Sequence, residues 1–174
     1  MIATVFFVLM FGLINYSGIG VAGLLKITGG ANILDFEFGY STARAYSVFE
    51  SLGNEGRAFY LARILPLDFV FPLSYMAFYF AWIALLQRHV FGHQKMVSSL
   101  LLIPIFAMLF DWAENLGVLM MLHRYPTVLG GVCAVSSAMT ILKFVGTMLS
   151  IGTIAALLIM VLMKRMRRNR VQTE

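Results

Sequence analysis

The chain has 174 residues, of which 60% are hydrophobic and 12% are charged, and its mean hydropathy is +0.86. Charged residues make up roughly a quarter of a soluble domain, so this composition excludes that class and indicates an integral membrane protein. The net charge of +5 does not indicate a nucleic-acid partner, because many of the cations follow the last apolar run. A basic cluster there sets membrane topology and contacts anionic lipid headgroups.

The first predicted span covers residues 2–25, and the length of the chain suits four spans of about 20 apolar residues each. The string from Gly18 through Gly20 to Gly23 fits the G-x-G-x-x-G pattern, but no strand precedes it, so we do not predict a dinucleotide site. We expect these small residues to allow close contact between helices. Asn15 is expected to form a hydrogen bond with a neighbouring helix.

The long connection, residues 26–64, is expected on the outer side of the membrane. Its residues 40–52 have apolar positions at helical spacing, with Ser41 or Thr42 near the cap, and predict an amphipathic helix. Such a segment lies on the membrane surface or folds over the bundle. Long structured loops often serve as lids, so we favour a lid over a passive cap.

The remaining predicted spans are residues 65–86, 98–122 and 135–163, which complete a single all-α domain, a four-helix membrane bundle. Pro66 and Pro72 lie in the second span and remove backbone donors, which is expected to free the carbonyl groups near Ala62 and Asp68.

Four spans place both termini on one side of the membrane. The basic turn 87–95, with Arg88 and Lys95, and the basic tail 164–174 lie on that same side. The positive-inside rule assigns this side to the cytoplasm. We therefore predict a multi-pass protein of the plasma membrane or a bacterial inner membrane, with cytoplasmic N- and C-termini.

Charged residues inside the predicted spans form the strongest functional signal. Asp111, Glu114 and Asn115 share one helix face, because residues three and four apart lie side by side. At about 1.5 Å per residue, Asp111 lies about 20 Å and Lys143 about 30 Å from the cytoplasmic side, and Asp68 begins its span near the same outer level. Ionisable groups at such depth are costly, which makes this layer a hypothesis for a functional site.

We predict that a ligand-binding pocket opens outward at this layer, and that Asp111 and Glu114 are the candidates for any catalysis. A zinc site is disfavoured, because His123 is the one histidine near this level, and the positive charge of Lys143 opposes a hard-cation site. We predict no metal and no cofactor. The full predicted ligand-binding set is Arg57, Tyr60, Asp68, Tyr75, Asp111, Glu114, Asn115 and Lys143.

Three functions are compatible with these residues. The preferred hypothesis is binding of a small amphiphilic or lipid-like molecule, with membrane lipids as further partners. The first alternative is an intramembrane acid/base enzyme acting on a lipid, since paired carboxyl groups can serve as general acid and general base. The second is a structural subunit of a larger membrane complex or of a homo-oligomer. A purely structural ion-pair network that locks the helices together is also compatible with the same charges.

Overall fold

The computed structural model describes residues 1–31, 33–92 and 97–171, and it describes the backbone alone at residues 98 and 167–171. These residues form helices and no strand. A short 3₁₀ turn, Leu34–Phe36, and a π-helical turn, Tyr60–Ile64, interrupt the α-helical segments. The α-helices are α1 Ile2–Tyr16, α2 Val21–Thr28, α3 Thr42–Ser51, α4 Gly53–Phe59, α5 Leu65–Phe91, α6 Ser98–Arg124 and α7 Gly130–Val171.

Four helical stretches of the described chain are long and apolar enough to cross a membrane: Ile2–Thr28, Gly53–Phe91, Ser99–Arg124 and Gly130–Met166. The prediction of an all-helical chain with four candidate spans is confirmed at this level. The first and last of these stretches bury only 11% of their most apolar window within the protein. The outer faces of α1 and α7 are therefore broad apolar surfaces.

The first span is not one continuous helix, because the chain breaks between α1 and α2. A Cβ atom on Gly20 would overlap carbonyl oxygens at the end of α1, and one on Gly23 would overlap the carbonyl oxygen of Gly18. Glycine is needed where backbone approaches backbone this closely. Gly20 and Gly23 thus serve the turn, and Gly23 also makes the expected contact with another helix, at Phe59 of α4.

The second span is longer than the predicted 65–86, because the chain is helical from Gly53 through the π turn to Phe91. The π turn ends next to Pro66, which has no backbone N–H to donate. The i→i+5 hydrogen bonds of the π turn let the helix continue past this missing donor. Arg88 and His89 therefore lie on the last turn of α5 and not in the predicted basic turn. His93 and Lys95 lie outside the described residues.

The last two spans also extend past their predicted bounds. Helix α6 continues to Arg124 instead of 122, and α7 begins at Gly130 instead of 135 and ends at Val171 instead of 163. The small polar stretch before residue 135 is helical from Gly130, and it packs against neighbouring segments, where Cys133 is fully buried. The backbone of the basic tail continues the helix as far as Val171.

Helix α2 and the long connection together form a packed cap, which we define as residues 21–64. The predicted amphipathic helix is present as α3, and its N-terminus is capped by the Ser41 hydroxyl, which accepts from the backbone N–H of Arg44 at 3.2 Å. The most extensive buried hydrophobic cluster lies here, and it includes Phe49 of α3 and Met121 of α6. The cap therefore has its own core and rests on the ends of α6 and α7.

The bundle is built on α5, α6 and α7, which pack against one another, while α1 packs mainly on α5 and α2. Helices α6 and α7 approach closely at Gly146, where a Cβ atom would lie 2.9 Å from the Cβ of Ala107. Because α1 does not close against α7, a gap remains between these two helices over one face of α5. This gap positions the candidate site.

Candidate functional site

Lys143 is the centre of a buried ion-pair network. Its ammonium nitrogen lies 2.6 Å from Glu114 Oε2, 3.3 Å from Asp35 Oδ1 and 3.4 Å from Asp111 Oδ1. An ammonium group has three N–H donors, so these three carboxylates occupy them. The network joins α6, α7 and the 3₁₀ turn of the cap into one cluster.

Asp111 is held in place by two neighbours besides Lys143. The Tyr75 hydroxyl donates to Asp111 Oδ2 at 3.0 Å, and the Asn115 amide donates to Asp111 Oδ1 at 3.3 Å. The same Asn115 amide donates to the backbone carbonyl of Asp68 at 2.9 Å. Pro72 leaves this carbonyl without its helical donor, so α6 supplies the hydrogen bond that α5 lacks. Asn115, which lies on the predicted polar face of α6, therefore bonds to the Asp68 carbonyl that we expected Pro72 to leave free.

Glu114 lies behind the network and is fully buried. Its Oε1 accepts from the Thr140 hydroxyl at 2.7 Å, and its backbone carbonyl accepts from the Ser136 hydroxyl at 3.0 Å. It is not among the residues that line the adjoining cavity. Glu114 therefore positions the ammonium group of Lys143, and its role in ligand contact and catalysis stays a prediction.

Asp35 is a member of the cluster that the sequence did not single out. It accepts from the Tyr60 hydroxyl at 2.7 Å and pairs with Lys143. Burial by itself would raise the pKa of Asp35, but the charge of Lys143 and the hydroxyl of Tyr60 bring this pKa below its usual value. Asp35 is therefore a carboxylate at neutral pH. The buried neighbours Ile33 and Leu34 were the available signal that this acid turns inward.

Tyr40 ties the cap to α7 next to the cluster. Its hydroxyl shares a hydrogen bond with the Ser136 hydroxyl at 2.8 Å, and its backbone N–H donates to the Ser137 hydroxyl at 2.8 Å. Burial raises the pKa of Tyr40 to about 12, so it stays a neutral phenol at physiological pH. The small polar residues of α7, which we assigned no role, anchor both the cap and Glu114.

Asp68 completes a group of three aspartates at the wall of the cavity. Oxygens of Asp35, Asp68 and Asp111 lie within 4.8 Å of one another. Such a set resembles the oxygen ligands of a hard cation, but Lys143 already pairs with two of the three carboxylates and competes for the same oxygens. The absence of a metal at this position stays a prediction.

Arg57 lies away from this cluster, contrary to the predicted site. It is eleven residues before Asp68, which corresponds to about 16 Å along a helix. Its guanidinium donates to the Phe49 carbonyl at 2.7 Å and lies 4.2 Å from the centre of the Tyr125 ring. Arg57 therefore stabilises the cap. The other predicted site residues all lie in the cluster or directly against it.

A cavity of about 410 Å³ adjoins the cluster between α1, α5 and α7. One end of the cavity is polar, and the rest of its wall is mainly aromatic. Phe11 and Phe36 on the wall are 43% and 57% exposed, so the cavity opens to the surface beside α1. The polar end consists of Asp35, Asp68, Asp111 and Lys143, and the aromatic wall includes Phe7, Phe11, Phe71, Tyr75, Tyr79 and Phe144.

The residues that line the cavity concern two expectations, one about Asn15 and one about α3. Asn15 lies on the wall, but its amide donates to the Phe11 carbonyl of its own helix at 2.9 Å and not to a neighbouring helix. The long connection contributes its 3₁₀ turn to the wall, and α3 contributes no residue. Helix α3 is part of the packed cap, and its role as a lid stays a prediction.

No protein-family model, curated protein or solved structure matches this chain. The chemistry of the site is therefore inferred from its geometry. An aromatic-walled cavity with a charged end can hold a molecule that has an apolar body and a polar group, because the two parts meet matching surfaces.

Proposed function

We propose that the chain is a multi-pass membrane protein that binds a small amphiphilic, lipid-like molecule in the cavity between α1, α5 and α7. The observation that best supports this function is that one cavity of about 410 Å³ has both an aromatic wall and a charged end. This volume falls within the range of about 300–1,000 Å³ that is typical of small-molecule sites.

The spacing of charges supports a membrane position for the bundle. Lys143 and Lys164 on α7 are 21 residues apart, or about 31 Å, which matches a hydrocarbon core of about 30 Å. Asp68 and Arg88 on α5 have almost the same separation. The Lys164 ammonium lies 3.1 Å from the Val90 carbonyl, so the basic ends of α5 and α7 meet. We place this end in the cytoplasm, with both termini, and the cap on the outer side.

In this placement, the gap between α1 and α7 faces the acyl chains of the bilayer. The cluster lies at the outer edge of the hydrocarbon core, so a bound amphiphile keeps its polar group at headgroup level and its chain along the aromatic wall. Entry is lateral from the membrane, because the cap covers the end of the bundle.

The proposal is tested by labelling the protein in lipid nanodiscs with a photoreactive 12-carbon alcohol that carries a diazirine on its chain. Thr147 lines the cavity on α7, and Thr147→Trp fills the space. Thr153 is on the same helix but is not part of the wall, so Thr153→Trp is the matched control. Labelled residues are mapped by mass spectrometry.

We expect the alcohol to label wall residues such as Phe11 and Phe144, and we expect Thr147→Trp to reduce this labelling about tenfold while Thr153→Trp leaves it unchanged. A tenfold loss corresponds to about 1.4 kcal/mol of binding free energy. Equal labelling of the wall in both variants, or labelling confined to the outer faces of α1 and α7, would contradict the proposal.

A second candidate function is acid/base catalysis on a lipid, which the close approach of Asp35, Asp68 and Asp111 on the cavity wall favours. Neighbouring carboxyl groups can divide the roles of proton donor and acceptor. Incubation with a total lipid extract, followed by mass spectrometry of the lipids, tests it. Catalysis requires a product that wild type forms and a folded Asp111→Asn variant does not, and an unchanged lipid profile with wild type opposes this candidate.

A further inference from the structure

The cluster at the polar end of the cavity has more carboxyl groups than cations. Four carboxyl groups face one ammonium group, and the three donors of Lys143 are directed to Asp35, Asp111 and Glu114. Asp68, the fourth acid, has no cation within 4.0 Å among the described residues. The cluster therefore has more acids than its one ammonium group can neutralise, and Asp68 lies on the wall of the cavity.

Asp68 is the residue where this imbalance is greatest. It is 6% exposed and lies on the wall of the cavity, so bulk water does not solvate its carboxyl group well. The charged groups around it are the acids Asp35 and Asp111 and, farther away than 4.0 Å, the ammonium group of Lys143. A buried carboxyl group without a close counter-ion is neutralised either by a proton or by a cation that binds beside it, so this position can hold a positively charged partner.

Asn115 gives an independent sign of a missing donor. Its side-chain oxygen is fully buried and has no hydrogen-bond partner among the described residues, whereas its amide nitrogen donates two hydrogen bonds. Each buried acceptor of this kind lacks a favourable contact that a donor would supply. Asn115 does not line the cavity, so this shortage of N–H or O–H groups lies next to the cavity wall, beside Asp111.

We propose that the bound amphiphile carries a protonated amine with N–H groups, and that Asp68 and Asp35 bind this amine while the apolar chain lies along the aromatic wall. This inference rests on the proposed function and specifies the ligand class of the same site. An anionic headgroup would meet the acids, and a bare metal ion would leave most of the cavity and its aromatic wall without a partner. A quaternary ammonium has charge but no N–H donor for the acceptors.

The test uses four photoreactive probes with the same 12-carbon chain and different headgroups: a primary amine, a trimethylammonium, an alcohol and a carboxylate. Wild-type protein in phosphatidylcholine nanodiscs is labelled with each probe, and the labelling of Phe144 and its neighbours on α7 is quantified. This comparison needs no variant, so it is informative even where a substitution in the cluster prevents folding.

We expect the amine to label the cavity about tenfold more than the alcohol, as one charge-assisted hydrogen bond would provide, and the carboxylate to label it least. Asp68→Asn should bring the amine to within about twofold of the alcohol while labelling by the alcohol persists, which shows that the cavity is intact. Glu50→Gln removes an exposed acid on α3 and should leave the preference unchanged.

Different failures are distinguishable. Equal cavity labelling by amine and alcohol in wild type, or a preference for the carboxylate, would overturn the amine proposal and leave the proposed function standing. Equal labelling by the amine and the trimethylammonium would overturn the requirement for N–H donors. If none of the probes labels the cavity, the proposed function fails as well.

The amine has two possible sources, a membrane lipid with an amine headgroup or a free alkylamine. Replacing phosphatidylcholine by phosphatidylethanolamine in the nanodiscs separates them, because only the second lipid has a primary ammonium group. Reduced labelling by the amine probe would support the proposal with a lipid as the source. Unreduced labelling in both membranes would support it with a free alkylamine.

Discussion

Lys143 is the residue on which the cluster depends, because it is the counter-ion of Asp35, Asp111 and Glu114. We predict that Lys143→Met lowers the free energy of unfolding by about 3–5 kcal/mol, since it leaves buried carboxylates without a partner. Glu114→Gln should cost less, about 1–3 kcal/mol, because two carboxylates remain beside the ammonium. Unfolding in mixed micelles with increasing SDS measures both.

The double variant shows whether the two residues act as a pair. Its loss should be at least about 1 kcal/mol smaller than the sum of the single losses, because residues in one network are coupled. Arg44→Met is the control: it removes an exposed ion pair with Glu37 and should cost about 1 kcal/mol or less. The stabilising network would be contradicted if the two single losses of unfolding free energy added up in the double variant. It would also be contradicted if Lys143→Met lowered the unfolding free energy no more than Arg44→Met does.

At this scale, helical spacing and depth were sufficient to predict much of the cluster. The three- and four-residue spacing of Asp111, Glu114 and Asn115 placed them on one face, and the rise per residue placed Lys143 near the same level. Asp35 was not predicted, because it follows an irregular segment in which no periodicity shows whether a side chain points inward. Arg57 was misplaced because charge alone does not give the distance along a helix to its partner.

At the scale of elements, the break between α1 and α2 depends on a close backbone approach. Gly23→Ala should lower the free energy of unfolding by about 1–3 kcal/mol, because the new methyl group would overlap the carbonyl oxygen of Gly18. Gly12→Ala is the matched control within α1, with nothing within 4 Å of the added Cβ. It should raise stability by about 0.5–1 kcal/mol, since alanine favours a helix. Stability changes of the same sign in both variants would oppose this role for Gly23.

The contact between α6 and α7 makes a second prediction. Gly146→Leu should separate the two helices at Ala107 and move Lys143, one turn away, from Asp111, with a loss of about 1–3 kcal/mol or more. Gly152 lies on the same helix with open space around it, so Gly152→Leu should have little effect. Thermal unfolding in detergent compares the two variants, and similar melting temperatures would show that the close contact is dispensable.

The apolar runs predicted how many long helices the chain has, but packing determines where they begin and end. Helix α7 begins before the apolar run at residue 135, and Cys133 in this first part is buried against the cap. The extension of the second span before residue 65 depends on the π turn, which accommodates Pro66. Hydropathy predicts the apolar part of a helix that can cross a membrane, and it does not predict a less apolar extension that packs on a cap.

At the scale of the whole molecule, the account requires that the cap and the basic end lie on opposite sides of a membrane. In a Cys133→Ala background, Glu55→Cys on the cap and Arg165→Cys at the basic end provide exposed thiols. A membrane-impermeant maleimide should label the first in intact expressing cells and the second only after permeabilisation, as the positive-inside rule predicts. The reverse pattern would invert the orientation, and labelling of both in intact cells would refute a membrane-spanning bundle.

The most direct measurement for the account as a whole is an experimental density map of the chain in lipid nanodiscs at the level of Asp68. The account predicts an elongated density between α1 and α7, with its polar end within hydrogen-bond distance of Asp35 and Asp68 and its other end against the aromatic wall around Phe71. A map in which α1 closes onto α7 and side chains fill the space beside the cluster would contradict the binding cavity.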